Sequence, residues 1–127
     1  MKIIRCGDRS FVPAGHEDPL TAGCIKKVLF AKDDLQPGRV QMVNWARLLV
    51  SRSFSAHYHE DMQEMFIVVR GVAEITVGSE TAMLFPGDTV LIEPREVHLM
   101  HNRGSEDVDY LAIGIAGGTN GRTVVVG

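Results

Sequence analysis

Ser55-Ala56-His57-Tyr58-His59-Glu60-Asp61-Met62-Gln63-Glu64-Met65-Phe66-Ile67-Val68-Val69-Arg70-Gly71 is the stretch on which the fold and the chemistry of this chain both turn. His57 and His59 are two apart at the end of a β-prone run. In a strand, residues i and i+2 share a face about 6.6 Å apart along the chain. Two imidazoles so placed can lean onto one ion with metal–nitrogen bonds of roughly 2.0–2.1 Å. The polar segment Glu60-Asp61-Met62-Gln63 lets the backbone turn, and Glu64 then enters the next strand beside the histidine pair. Two nitrogens and one carboxylate oxygen converge on one point of a hairpin.

Outward from that hairpin the chain reads as short strands broken by turns. Val72 to Val77 is a strand that ends at Gly78-Ser79-Glu80, and Thr81 to Phe85 returns from it. Pro86-Gly87-Asp88 turns into Thr89 to Ile92, and Pro94-Arg95-Glu96 bends the chain so that His98 opens another strand. Asp109 to Ile115 and Arg122 to Val126 supply two more, joined by a flexible connector at 116–121. Upstream, Cys24 to Phe30 is a strand before the turn at 33–38, and Arg39 to Phe54 is two strands or one bent at Asn44 or Ser51. A helix over Val43 to Val50 is rejected, because its apolar spacing is irregular and the segment must deliver His57 and His59 in strand geometry. Residues 1–21, with Gly7, Pro13, Gly15 and Pro19, form an extended arm with a short strand near Lys2 to Arg5. Turn signals this frequent indicate a sandwich or barrel, whose closure can bring His98 to the histidine pair.

The bulk numbers bound the rest. A chain of 127 residues, 45% hydrophobic, is one domain able to bury a core. The net charge of -3 argues against a nucleic-acid partner. No apolar run reaches the roughly 18–20 residues of a membrane span, and residues 1–7 lack the apolar centre of a signal peptide, so a cytoplasmic location is expected. Cys6 and Cys24 are too few and too isolated for a disulfide framework or a zinc site, and read as ordinary thiols.

From its His-X-His onward, the spacing His57-X-His59, four residues, Glu64, six residues and Gly71 resembles the first motif of the cupin family. Gly87, five residues, then Glu93-Pro94-Arg95-Glu96-Val97-His98, three residues and Asn102 resembles the second. Ser51 stands where the first motif has its leading Gly, Glu93 where the second has Pro, and Arg95 where it has Gly. All four ligand positions are kept. The resemblance implies an all-β single cupin (double-stranded β-helix, or jelly-roll) barrel over 22–127, preceded by the arm at 1–21. It implies one divalent transition metal per chain, held by His57, His59, Glu64 and His98. Iron, manganese, zinc, nickel and copper all accept such a set. Glu64 is either a ligand or a base hydrogen-bonded beside the metal.

Strand parity then proposes a pocket lining. If His57 and His59 face inward, so do Ser55, Ser53 and Arg47; Glu64 brings Phe66, and His98 brings Met100 and Asn102. Arg47 can grip a substrate carboxylate through its bidentate fork, against the alternative of a surface charge. His16, in the Pro/Gly arm, and His101, of opposite parity to His98, are left outside the site.

Three imidazoles and a carboxylate leave open coordination positions, which distinguish catalytic from structural metals. The expectation is a metal-dependent enzyme, an oxygenase (dioxygenase-like), isomerase or lyase, acting on a small oxygen-rich metabolite. The alternative is a non-catalytic cupin that binds a sugar or carboxylic acid. A homodimer is expected as well, because the Cys24 to Phe30 strand would otherwise leave an unprotected edge.

Overall fold

Alternation of apolar and polar residues shapes the chain, and the computed structural model describes residues 1–117 and 122–126. The described strands are β1 (Val12–Pro13), β2 (Cys24–Ala31), β3 (Val40–Leu48), β4 (His57–His59), β5 (Met62–Arg70), β6 (Ala73–Val77), β7 (Glu80–Leu84), β8 (Thr89–Ile92), β9 (His98–His101), β10 (Val108–Ala116) and β11 (Thr123–Val125). The 3-10 turn Lys32–Asp34 is the only helical element among the described residues. A larger sheet runs β1-β2-β3-β10-β5-β8 and a smaller one β11-β4-β9-β6-β7, with every pairing antiparallel. The two sheets face each other as a jelly roll, which is the all-β architecture expected.

β5 shows how pattern becomes architecture. Met62, Glu64, Phe66 and Val68 are buried while the residues between them are half-exposed, so one face of the strand looks into the interior. Phe66 and Val68 join Leu48, Phe54, Ile92 and Met100 in the core between the sheets. Burying each such side chain contributes about 1.5–3 kcal/mol. Gly71 ends β5 with φ +83, and a Cβ there would sit 2.8 Å from the Asp107 carbonyl oxygen, so the turn into β6 takes only glycine.

Three sequence expectations shift in detail. No strand forms at Lys2 to Arg5; the Asp8 amide donates to the Arg5 carbonyl and the Asp8 carboxylate accepts from the Arg5 amide, closing a turn there. β1 lies instead at Val12–Pro13, paired with Ile25 and Lys26 of β2. The 39–54 segment is one strand, and its break comes at Ser51, which has φ 63. The connector expected at 116–121 is described only as far as Gly117, and the rest of it lies outside the described residues.

Candidate metal centre

Both sheets contribute to one buried cluster. His57 and His59 come from β4, His98 from β9 directly across from His57, and Glu64 from β5 in the opposite sheet. All four are buried, and one donor atom from each lies within 4.8 Å of the others. An ion with bonds of about 2.1 Å would hold its ligand atoms within about 4.2 Å of one another, so the four donors already lie close to the spacing a shared metal would need.

The histidine tautomers are set from behind. Nδ1 of His57 contacts the Ser55 carbonyl oxygen at 2.7 Å, and Nδ1 of His98 the Glu96 carbonyl oxygen at 2.9 Å. A carbonyl only accepts, so both rings carry a proton on Nδ1 and turn Nε2 toward the cluster. Nδ1 of His59 pairs with the Thr123 hydroxyl at 3.0 Å. Such outer partners fix ring orientation and raise ligand basicity. The Arg95 amide also donates to the His59 carbonyl at 2.7 Å, tying the second motif to the first.

Glu64 Oε1 lies 3.1 Å from His59 Nε2 and 3.3 Å from His98 Nε2. Burial pushes its carboxyl up, but the hydrogen bonds from His59 and His98 and their nearby charge together outweigh it, and the group is held down at about 2. Burial, then repulsion from His98, lowers His57 to about 4. A metal would take the imidazoles as neutral Nε2 donors, displacing the protons they give Glu64, beside a carboxylate that is already ionised. The donor set therefore fits a single divalent transition metal.

Beside the cluster, a cavity of about 290 Å³ is lined by His59, Glu64, Phe66, Asn44 and Thr123, among others. It exists because the inner face of the larger sheet is clad in small residues there: Ala46 of β3 and Ala112 of β10 fill little space. Cys24 also lines it, with its thiol 3.3 Å from the Tyr110 hydroxyl and pushed up by burial to about 12, so it stays protonated.

Of the pocket candidates, Phe66 lines this cavity and the others lie elsewhere. Arg47 takes the outer face of the larger sheet, where it forks onto Asp109. The parity count from His57 fails because residues 54–56 lie outside any strand and Ser51 reverses the backbone, so alternation does not carry across. Ser53 is exposed in an isolated bridge to His101, and the Ser55 hydroxyl donates to Glu17 at 2.9 Å. Met100 and Asn102 do alternate inward with His98, but in the packed core beyond the cavity. The Asn102 amide is used up by the Leu48 and Glu106 carbonyls and the Gly104 amide.

His16 goes the other way. Left outside the site by its place among Pro and Gly residues, it lines the cavity and stacks on His57 with ring centroids 4.1 Å apart. Burial, then repulsion from His57, lowers it to about 3. Its placement follows from long-range bonds that local sequence does not announce: Ala14 donates to the Cys24 carbonyl and Glu17 accepts from Ser55. Thr123 was missed for a similar reason, since only the β11–β4 pairing brings it to His59.

The family described as Cupin domain matches residues 44–114. No curated protein matches the sequence. Among solved structures, a cupin-2 domain protein from Rhodospirillum rubrum superposes with a TM-score of 0.76 at 13% identity, over 99% of this chain and 80% of that one. The polyketide cyclase RemF from Streptomyces resistomycificus gives 0.79 at 17% identity, over 100% and 87%. A predicted oxalate decarboxylase from Thermotoga maritima gives 0.76 at 18% identity, over 91% and 99%. At these identities the likeness is one of fold.

Proposed function

Because the chain belongs to the cupin family, and its four ligand positions converge in space, we propose that it is a metal-dependent enzyme acting on a small oxygen-rich metabolite. The observation that carries this reading is the buried His57, His59, Glu64 and His98 cluster opening onto a cavity of about 290 Å³. A bound divalent metal would supply Lewis-acid polarisation or, if redox-active, access to oxygenation chemistry. The chain's own residues do the rest. The three imidazoles present Nε2 because Ser55, Glu96 and Thr123 engage their other nitrogens. Glu64 brings a negative charge to a buried site, and the His16 and Phe54 rings pack against His57 and limit its access to water. Solved neighbours with a cyclase, a predicted decarboxylase and a sugar phosphate isomerase among them support chemistry over simple storage.

The test is metal analysis of protein purified without a metal-binding tag. The reconstituted protein is then screened against keto acids, sugars and catechol-like compounds, with oxygen uptake and product analysis. One metal per chain, lost in His59→Ala while the far-ultraviolet spectrum stays that of a β protein, supports the assignment. Unchanged metal content in that variant rejects it. Binding without metal-dependent turnover across the panel transfers the assignment to a ligand-binding cupin.

We also propose a homodimer in the cytoplasm with no nucleic-acid partner. β1 pairs with only two residues of β2, and most of that strand's outer edge is left without a strand partner among the described residues. Such an edge is a template for pairing. A monomer mass by light scattering at micromolar concentration rejects the dimer.

A further inference from the structure

Besides the His16 ring nitrogen, the residues lining the cavity beside the cluster include two polar groups with no hydrogen-bond or ion-pair partner at their free atoms among the described residues. Asn44 is 4% exposed, and its side-chain carbonyl Oδ1 makes no hydrogen bond; its amide nitrogen contacts only the Met42 sulfur, a weak acceptor, at 3.2 Å. A buried acceptor left unmade is costly to the free protein; Oδ1 itself is covered, but Asn44 lines the cavity, so a small turn of its side-chain amide would present the oxygen there. Lys26 is the second group. In the β2–β3 register, Cys24, Lys26 and Val28 pair with Leu48, Ala46 and Asn44, so Lys26 is on the strand face that looks inward. It is half-buried, lines the same cavity, and has no ion pair or hydrogen bond to any described residue. The carboxylate that shares this cavity, Glu64, is engaged by His59 and His98, so the half-buried Lys26 ammonium has no ion-pair partner and is free to meet an anion.

Together the two define what fits. Lys26 offers a cation to an anion, and Asn44 Oδ1 needs a hydroxyl or N–H donor. A cavity of about 290 Å³ holds roughly ten waters at about 30 Å³ each, which limits the ligand to a small metabolite. We propose that this cavity is the recognition subsite for a small hydroxy acid, with Lys26 taking the carboxylate and Asn44 accepting from the hydroxyl. The inference rests on the reading of the adjoining cluster as a metal centre for a small metabolite, and it names the class of that metabolite.

The experiment is calorimetry on metal-free and metal-loaded protein with lactate, beta-hydroxybutyrate and gamma-hydroxybutyrate. Their primary amides serve as neutral controls, and the acids lacking the hydroxyl as the second control. The metal content of each sample is measured. At least one acid is expected to bind about tenfold or more tightly than its amide. Lys26→Met should collapse that ratio to within about twofold and Lys26→Arg should keep it, with metal content unchanged in both. Asn44→Leu should erase the preference for the hydroxy acid over its deoxy counterpart while raising the melting temperature of the ligand-free protein, which a merely structural asparagine would not do. Equal binding of acids and amides by wild type, or an acid preference that survives Lys26→Met, overturns the proposal. Failure to take up metal with the acid preference intact overturns the metal reading and leaves this one standing.

Discussion

The two faces of the larger sheet handle buried polarity in opposite ways. On the outer face, Arg47 of β3 and Asp109 of β10 are directly paired in register and joined by two hydrogen bonds, Nε to Oδ1 at 2.7 Å and a terminal guanidinium nitrogen to Oδ2 at 3.0 Å. The Trp45 indole N–H adds a third, and the guanidinium stacks over Phe11 at 4.7 Å from its centroid. Each charge there is answered. On the inner side, only a strand's thickness away, Asn44 Oδ1 and the ring nitrogen Nε2 of His16, which packs in from the N-terminal arm, are buried without a partner among the described residues. One face spends its polar groups on holding strands together. The other keeps them unspent at a cavity beside four metal-ligand side chains. Polar groups therefore tie strands together on the outer face and stay available for binding on the inner one.

Acid separates the faces, and its effect should be the largest. His57 and His16 are held at about 4 and about 3 in the fold against 6.5 when free, so both stay neutral where the unfolded chain binds protons. Their contribution is full above pH 6.5 and is lost as pH falls through the folded values. At pH 5 that loss is on the order of 2 kcal/mol for each group. The pair on the outer face keeps its charge in this window, because Asp109 is driven below its usual 3.8: burial pushes it up, but the Arg47 and Trp45 hydrogen bonds outweigh that. Denaturant melts of metal-free protein should thus lose stability between pH 6.5 and pH 4. A flat profile there would show that the inner imidazoles are not held neutral.

Next in size is the outer network itself. Asp109→Ala leaves the Arg47 guanidinium, 29% exposed, without its carboxylate and strips the Trp45 N–H of its acceptor. Truncating one partner of a well-buried pair costs about 3–5 kcal/mol; with Arg47 partly open to water, about 2–3 kcal/mol is expected. Metal content should not change, since the network faces away from the cluster. Chemical denaturation read beside metal analysis checks both halves, and a parallel loss of metal would contradict the separation of faces.

On the inner face the sign reverses. His16→Phe keeps a ring over His57 and removes an orphaned nitrogen, so the metal-free protein should gain about 1 kcal/mol. A loss of stability would mean that the nitrogen has a partner, such as an ordered water.

The contrast between faces also explains what could be read in advance. His57, His59 and Glu64 were legible because short-range strand geometry fixes their relation, and His98 because its motif resembles a known one. Strand alternation held wherever a strand was continuous, as in β5 and from His98 to Asn102. It failed for Arg47, Ser53 and Ser55, because parity cannot be counted through the irregular stretch around Ser51 and residues 54–56. His16, Lys26, Asn44 and Thr123 stayed out of reach for another reason. Their places depend on which segment packs over which sheet, and cross-strand register is not encoded in any one segment.

The smallest expected effect concerns the two motif departures at glycine positions. Ser51 and Arg95, which stand where the cupin motifs carry Gly, are the non-glycine residues with positive φ among the described residues, at 63 and 70. At both positions the backbone holds the left-handed conformation that glycine adopts freely. A side chain in the left-handed region costs roughly 1–2 kcal/mol, and glycine returns about 0.5–1 kcal/mol of that through its greater freedom when unfolded. Arg95→Gly should accordingly stabilise the protein by about 0.5 kcal/mol and leave metal content unchanged, since Arg95 acts on the site only through the amide that donates to the His59 carbonyl. Ser51→Gly should behave alike. A paired melt of both variants against wild type checks this, and destabilisation by Arg95→Gly would show that the exposed arginine side chain makes a contribution larger than the strain it imposes.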